Sequence, residues 1–121
     1  MSSILIVEDR EMISDALKEI LTVSGYEVPA VASDGKEAIA IYKEIRPDLV
    51  LMDLLLPDMN GIDAAAAILE MDPKARFVAI TAATKETVVE DCKRAGFKGL
   101  VRKPFRMKEL LEIIETALTD E

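Results

Sequence analysis

Five short apolar runs punctuate the chain, at Ile4 to Val7, Glu27 to Val31, Leu49 to Met52, Phe77 to Ile80 and Leu100 to Val101. The first, third and fourth are almost continuously apolar, as expected for strands covered on both faces of a parallel sheet. Between the runs the apolar positions change to helical spacing. Ile13, Leu17, Ile20 and Leu21 form one stripe, and Ala38, Ile41 and Ile45 form another. The final segment sets Met107, Leu110, Leu111, Ile114 and Leu118 on one side and Glu109, Glu112 and Glu115 on the other, which predicts an amphipathic closing helix.

The punctuation agrees with this division. Gly25 and Gly96 follow predicted helices, where a left-handed C-cap favours glycine. Asp34 with Glu37 three residues later predicts a capping box, with Asp in place of Ser or Thr. Thr84 is the expected N-cap of the fourth helix, and Pro47 and Pro73 fall between elements. No repeat, low-complexity stretch or linker interrupts the pattern, so residues 1–121 read as a single domain with no output domain expected after the last helix. Five strands alternating with helices predict a doubly wound α/β fold with helices on both faces of a parallel sheet. The right-handed crossover rule leaves few topologies. One of them, the order 2-1-3-4-5, makes strands 1 and 3 neighbours where the chain reverses direction. Ligands of such sheets bind beyond the carboxyl ends of the strands at that switch point.

Composition narrows the chemistry. The 121 residues carry 15 Lys plus Arg against 23 Asp plus Glu, a formal charge of −8. That balance argues against non-specific nucleic-acid or anionic-membrane binding, which needs basic patches. No apolar run approaches the ~18 residues of a membrane span, so membrane insertion is not expected. The start, Met1-Ser2-Ser3, has no positively charged leader region, and the chain reads as mature and cytoplasmic. Cys92 is the only cysteine, which excludes an intramolecular disulfide and suits a reducing compartment; on a helix it reads as a small buried hydrophobe. There is no histidine. Imidazole bases, Ser-His-Asp triads and most zinc sites are therefore excluded.

Chemistry-bearing residues follow four of the five strands. Glu8-Asp9 follow the first, Asp53 the third, Thr81-Ala82 the fourth and Lys103-Pro104-Phe105 the fifth. Under the proposed order, three carboxylates, a hydroxyl and an ammonium meet at one sheet edge. Clustered carboxylates repel, and a hard divalent cation such as Mg²⁺ relieves the repulsion through oxygen ligands. With the metal present, a carboxylate can approach a phosphoryl group. Lys103 can hold one phosphoryl oxygen as a point charge and Thr81 can donate to another, so that a carboxylate nucleophile yields an acyl phosphate. Taken singly, each residue also has a plain structural role: a solvated loop carboxylate, a helix-capping acid, a β-branched strand end, a solvated lysine. Their placement at the same end of different central strands favours the joint reading.

These residues resemble the receiver domain of two-component response regulators, in particular the stand-alone chemotaxis type. The resemblance covers nearly the whole chain. It rests on Glu8-Asp9, Asp48 to Asp53, the loop Leu56-Pro57-Asp58-Met59-Asn60-Gly61, Thr81-Ala82, Ala95-Gly96 and Lys103-Pro104-Phe105. It implies a flavodoxin-like five-stranded sheet with five helices in the order 2-1-3-4-5. It implies that Asp53 is the phosphoacceptor, that Asp9 binds Mg²⁺ directly and Glu8 mainly through a metal-bound water, and that the Leu55 backbone carbonyl is a further ligand. Lys103 would contact the phosphoryl group, the Lys103-Pro104 bond would be cis, and Thr81 would move toward the phosphoryl oxygen. The donor would be a phosphohistidine on a sensor histidine kinase. The reader would be a face of helix 4, strand 5 and helix 5 that includes Val89, Lys93, Leu100, Arg102 and the region of Met107 and Lys108. Its target would be a protein, such as a motor or adaptor, met by exposed Val89 and Leu100. The chain would act as a monomeric switch rather than an enzyme. One departure is Leu100, which stands where such domains usually carry Tyr or Phe.

Other readings divide on single positions. A phosphorelay intermediate, passing its phosphoryl group to a histidine phosphotransfer protein, would keep the same site. A haloacid-dehalogenase-like phosphotransfer enzyme needs Asp two residues after the nucleophile, and position 55 is Leu. An interaction module that is never phosphorylated would not need the set Glu8, Asp9, Asp53, Thr81 and Lys103. No Gly-x-Gly-x-x-Gly or Walker-type loop supports nucleotide binding. Leu55 and Ala83, two residues after Asp53 and Thr81, are apolar and cannot orient an attacking water, which predicts slow loss of a phosphoryl group.

Overall fold

The computed structural model describes residues 1–83 and 85–119. Strands β1 (Ser3–Val7), β2 (Glu27–Ala32), β3 (Leu49–Asp53), β4 (Phe77–Thr81) and β5 (Gly99–Arg102) alternate with helices α1 (Glu11–Val23), α2 (Gly35–Ile45), α3 (Gly61–Met71), α4 (Glu86–Arg94) and α5 (Met107–Thr119). The strands form one parallel sheet in the order β2-β1-β3-β4-β5, the flavodoxin-like arrangement expected from the sequence. Thr84 lies outside the described residues; Lys85 occupies the N-cap of α4, without a side-chain capping bond.

The continuous apolar runs arise because both faces of the central strands are covered. Ile4, Ile6, Leu49, Leu51, Val78 and Ile80 pack with Leu17 and Leu21 of α1 and Leu110 and Ile114 of α5. Their alternating neighbours Leu5, Val7, Val50 and Met52 pack with Ala38 and Tyr42 of α2 and Ala64, Ala65 and Ile68 of α3. Each such aliphatic side chain contributes about 1.5–3 kcal/mol on burial, so the sheet is a rigid platform for whatever its strand ends carry. Pro29 sits in β2, an edge strand, where the pairing with β1 shifts register between Ser3 and Leu5; an edge tolerates the missing N–H. Gly25 and Gly96 adopt φ of +95° and +91°, the left-handed conformation that ends a helix.

Several side chains depart from the periodic reading. Met107, placed in the α5 stripe by spacing, is 55% exposed, because it opens the helix before the turn that meets the sheet. Ile45 is exposed at the end of α2, and the buried position is filled by Tyr42. The Asp34 carboxylate accepts from the Glu37 N–H at 2.8 Å as expected, but Glu37 reaches back to the Ser33 N–H at 3.3 Å rather than to Asp34.

Tyr42 is buried with its hydroxyl donating to Asp72 Oδ2 at 2.8 Å, and Arg46 Nη1 lies 3.5 Å from the same oxygen. Burial, reinforced by Asp72, pushes the phenol well above its ordinary pKa; the phenol's hydrogen bond in turn lowers that of Asp72. A carboxyl depressed in the folded state contributes stability above its unfolded value near 3.9, and the contribution is lost as pH falls through the folded value. Tyr42→Phe should therefore cost about 1 kcal/mol at pH 7, the range of a hydrogen bond to a still-hydrated carboxylate. Urea unfolding should show that cost shrinking below pH 4 (roughly the free carboxyl value), and a cost independent of pH would refute the assignment.

Candidate functional site

The site forms where β1 and β3 end side by side. Their pairing is in register through Val7 and Met52, so the next residues, Glu8 and Asp53, emerge together at the carboxyl edge. Both are nearly fully buried, at 2% and 4% exposure, whereas Asp9 is exposed. One carboxylate oxygen from each of Glu8, Asp9 and Asp53 lies within 4.8 Å of the others.

Lys103 reaches the cluster from the end of β5. Its N–H donates to the Thr81 carbonyl at 2.8 Å, which fixes the strand end. Its Nζ donates to Glu8 Oε1 at 2.7 Å and to Asp53 Oδ2 at 3.3 Å. A buried carboxylate is costly unless paired and hydrogen-bonded; the ammonium supplies that pairing to two of them at once. The second oxygen of Glu8 accepts from the Arg10 N–H at 3.1 Å, and Asp53 Oδ1 accepts from the Leu55 N–H at 3.1 Å. The Lys103-Pro104 bond is cis.

The loop after β3 is fixed by its own sequence. Asn60 caps α3 by accepting from the Ile62 N–H at 2.8 Å, and Leu55 bridges to Asn60. A Cβ at Gly61 would collide with the Asp53 carbonyl oxygen, so only glycine lets α3 start this close to the strand end. The Asp58 carboxylate accepts from the Gly35 and Lys36 N–H groups at 2.7 and 3.0 Å, and the Gly35 bond first of all holds its pKa below the usual carboxylate range. The loop is thereby tied to the start of α2.

A cavity of about 110 Å³ opens on the cluster, lined by Asp9, Arg10, Asp53, Leu55, Ala82 and Lys103. Thr81 is not among these. It is fully buried, and its Oγ1 accepts from the Ala83 N–H at 3.1 Å. The sheet thus gathers the three carboxylates and the ammonium as the sequence predicts, but turns the threonine hydroxyl into its own loop. Three carboxylates against one ammonium leave the cluster formally doubly negative, and hard oxygen donors suit a hard divalent cation. The residues present fit Mg²⁺.

The predicted partner-face residues fall together as well. Val89, Lys93, Leu100 and Arg102 line a groove of about 400 Å³ with Cys92 and Phe97. Val89 and Leu100 are half-buried rather than exposed; Leu100 packs on the cluster of Leu54, Ala79 and Cys92. Lys93, Met107 and Lys108 are exposed, as is Arg102, whose Nη1 donates to the Ala83 carbonyl at 2.8 Å. Sequence reasoning missed Arg10 in the cavity wall, Asp58 at the start of α2, and this Arg102 contact. Only Asp58 carried a signal, as an acid within a turn-rich loop.

The comparisons with known proteins agree with this geometry. The response regulator receiver domain model matches residues 4–115. The chemotaxis protein CheY of Thermotoga maritima is 40% identical over 111 residues, covering 92% of each chain. CheY of Bacillus subtilis is 40% identical over 115 residues, 95% of this chain and 96% of that one. Among solved structures, the CheX–CheY–BeF₃–Mg complex from Borrelia burgdorferi superposes with a TM-score of 0.94 at 32% identity, covering 98% of this chain and 90% of that one. No helix among the described residues is long and apolar enough to cross a membrane. A sheet in this order, an acidic cluster at its switch point, and a family match along nearly its full length together place the chain in the response regulator receiver family.

Proposed function

We propose that this receiver domain is a phosphorylation switch of the chemotaxis type, with Asp53 as phosphoacceptor. The observation that carries the reading is the Lys103 ammonium bridging Glu8 and Asp53 at 2.7 and 3.3 Å. It joins the ends of three strands into one charged site, and Asp53 lines the cavity beside it. Glu8, Asp9, Asp53 and the Leu55 carbonyl would hold Mg²⁺, which when bound offsets the repulsion between a carboxylate and the oxygens of a phosphoryl group.

The chain's own residues perform the rest. An Asp53 carboxylate oxygen attacks phosphorus; the bond from phosphorus to the leaving imidazole of a sensor kinase breaks, and an acyl phosphate remains. Lys103, released from part of its pairing, holds a phosphoryl oxygen by charge. Thr81 turns from Ala83 to donate to another. The change is read on the groove of Val89, Lys93, Leu100 and Arg102 by a protein target such as a motor component or adaptor. Relatives named as chemotaxis proteins and aligned along nearly their whole length support that setting, and a cytoplasmic location accords with it.

Incubation with Mg²⁺ and acetyl phosphate should add one phosphoryl mass to the intact protein. Asp53→Asn and excess chelator should each abolish the addition; labelling that survives Asp53→Asn would refute the role. The acyl phosphate should decay over minutes rather than seconds, because Leu55 and Ala83 offer no group to orient water. Leu55→Asn should shorten that lifetime several-fold in a chase of the labelled protein, and rapid decay of the wild-type chain would contradict the account.

A further inference from the structure

The proposed switch requires Thr81 to act on a group held in the Asp53 cavity, yet Thr81 does not line that cavity. Its hydroxyl is held by Ala83, and Ala83 is held in turn from the protein surface. The Ala83 N–H donates to Thr81 Oγ1 at 3.1 Å, and the same residue's carbonyl accepts from Arg102 Nη1 at 2.8 Å. Thr81 and Arg102 are also register partners across β4 and β5, and the Lys103 N–H bonds the Thr81 carbonyl. The strand backbones form a fixed frame. What can rearrange is the pair of side chains and the residue between them.

We infer that Arg102 is a positioning residue of the switch, whose guanidinium holds Ala83, and through it the Thr81 hydroxyl, in the unmodified arrangement. The inference deepens the phosphorylation reading and rests on it. A Thr81 hydroxyl that turns toward the cavity gives up the Ala83 N–H. Ala83 then loses one of its two anchors, and the arginine contact on its other side loosens. Arg102 lines the groove with Val89, Lys93 and Leu100, so its release changes the charge and shape presented there. Leu100 is the poorer candidate for that signal, because it is packed on Leu54, Ala79 and Cys92. The guanidinium donates a charge-assisted bond to the Ala83 carbonyl, which gives the restraint its strength.

An interaction made only in the unmodified arrangement opposes modification by its own free energy, and its removal must raise affinity for a phosphoryl mimic. The test is a titration of the full chain with beryllofluoride in saturating Mg²⁺, read by amide chemical shifts, for wild type, Arg102→Ala and Arg102→Lys. Arg102→Ala should bind beryllofluoride about five- to tenfold more tightly, at the low end of the usual range of couplings between sites. Arg102→Lys, which keeps a donor, should return part of the way. Mg²⁺ alone should bind wild type and Arg102→Ala equally. Without any ligand, the Ala83 amide of Arg102→Ala should already be shifted toward its position in the liganded wild type. Unchanged beryllofluoride affinity in Arg102→Ala, or an unmoved Ala83 amide, would overturn the inference while leaving the phosphoacceptor reading intact. A wild-type chain that takes up no beryllofluoride would overturn both.

Discussion

The structure depends on a charge imbalance that a close-packed sheet creates at its own edge. β1 and β3 are neighbours because the chain reverses direction between them, and each is followed by an acid. Glu8 and Asp53 are thereby forced together at 2% and 4% exposure. Two buried carboxylates at this separation demand cations, and the fold supplies one from β5 in Lys103. Asp9 adds a third carboxylate that this ammonium does not bond, and the surplus of negative oxygen suits a hard divalent cation rather than a closed ion pair.

The rest of the molecule can be read as support for that edge. Strands buried on both faces leave the strand ends little room to move. Gly61 permits α3 to begin against the Asp53 carbonyl, and Asp58 ties the intervening loop to α2. On the other flank, Ala83 is held by two side chains, the Thr81 hydroxyl on one side and the Arg102 guanidinium on the other. In the proposed switch, the closely packed half carries the acids and the other half carries the hydrogen bonds that exchange. A switch requires both.

Much of this was legible in the sequence, for identifiable reasons. Runs such as Leu49 to Met52 are unambiguous because a strand buried on both faces excludes polar residues at every position. Residues following such runs are placed at a common edge by topology alone, which is why Glu8, Asp9, Asp53 and Lys103 were found together. Periodicity fails at helix ends, where Met107 and Ile45 continue a stripe that the sheet no longer covers. It also overlooks Tyr42, whose burial relies on Asp72 thirty residues away. The orientation of Thr81 and the reach of Arg102 were invisible because their partners are backbone atoms of Ala83, and a backbone atom leaves no mark in the residue code. Leu100 was legible as an unusual residue, but its half-burial follows from Cys92 and Leu54, which only the fold brings beside it.

The most direct measurement of the central claim is a crystal structure of the chain with beryllofluoride and Mg²⁺. The account predicts beryllium on an Asp53 carboxylate oxygen, the metal ligated by Asp9, Asp53 and the Leu55 carbonyl, and Lys103 Nζ moved from Glu8 onto a fluoride. An adduct elsewhere, or Lys103 still paired to Glu8 beside an unmodified Asp53 at saturating ligand, would contradict it.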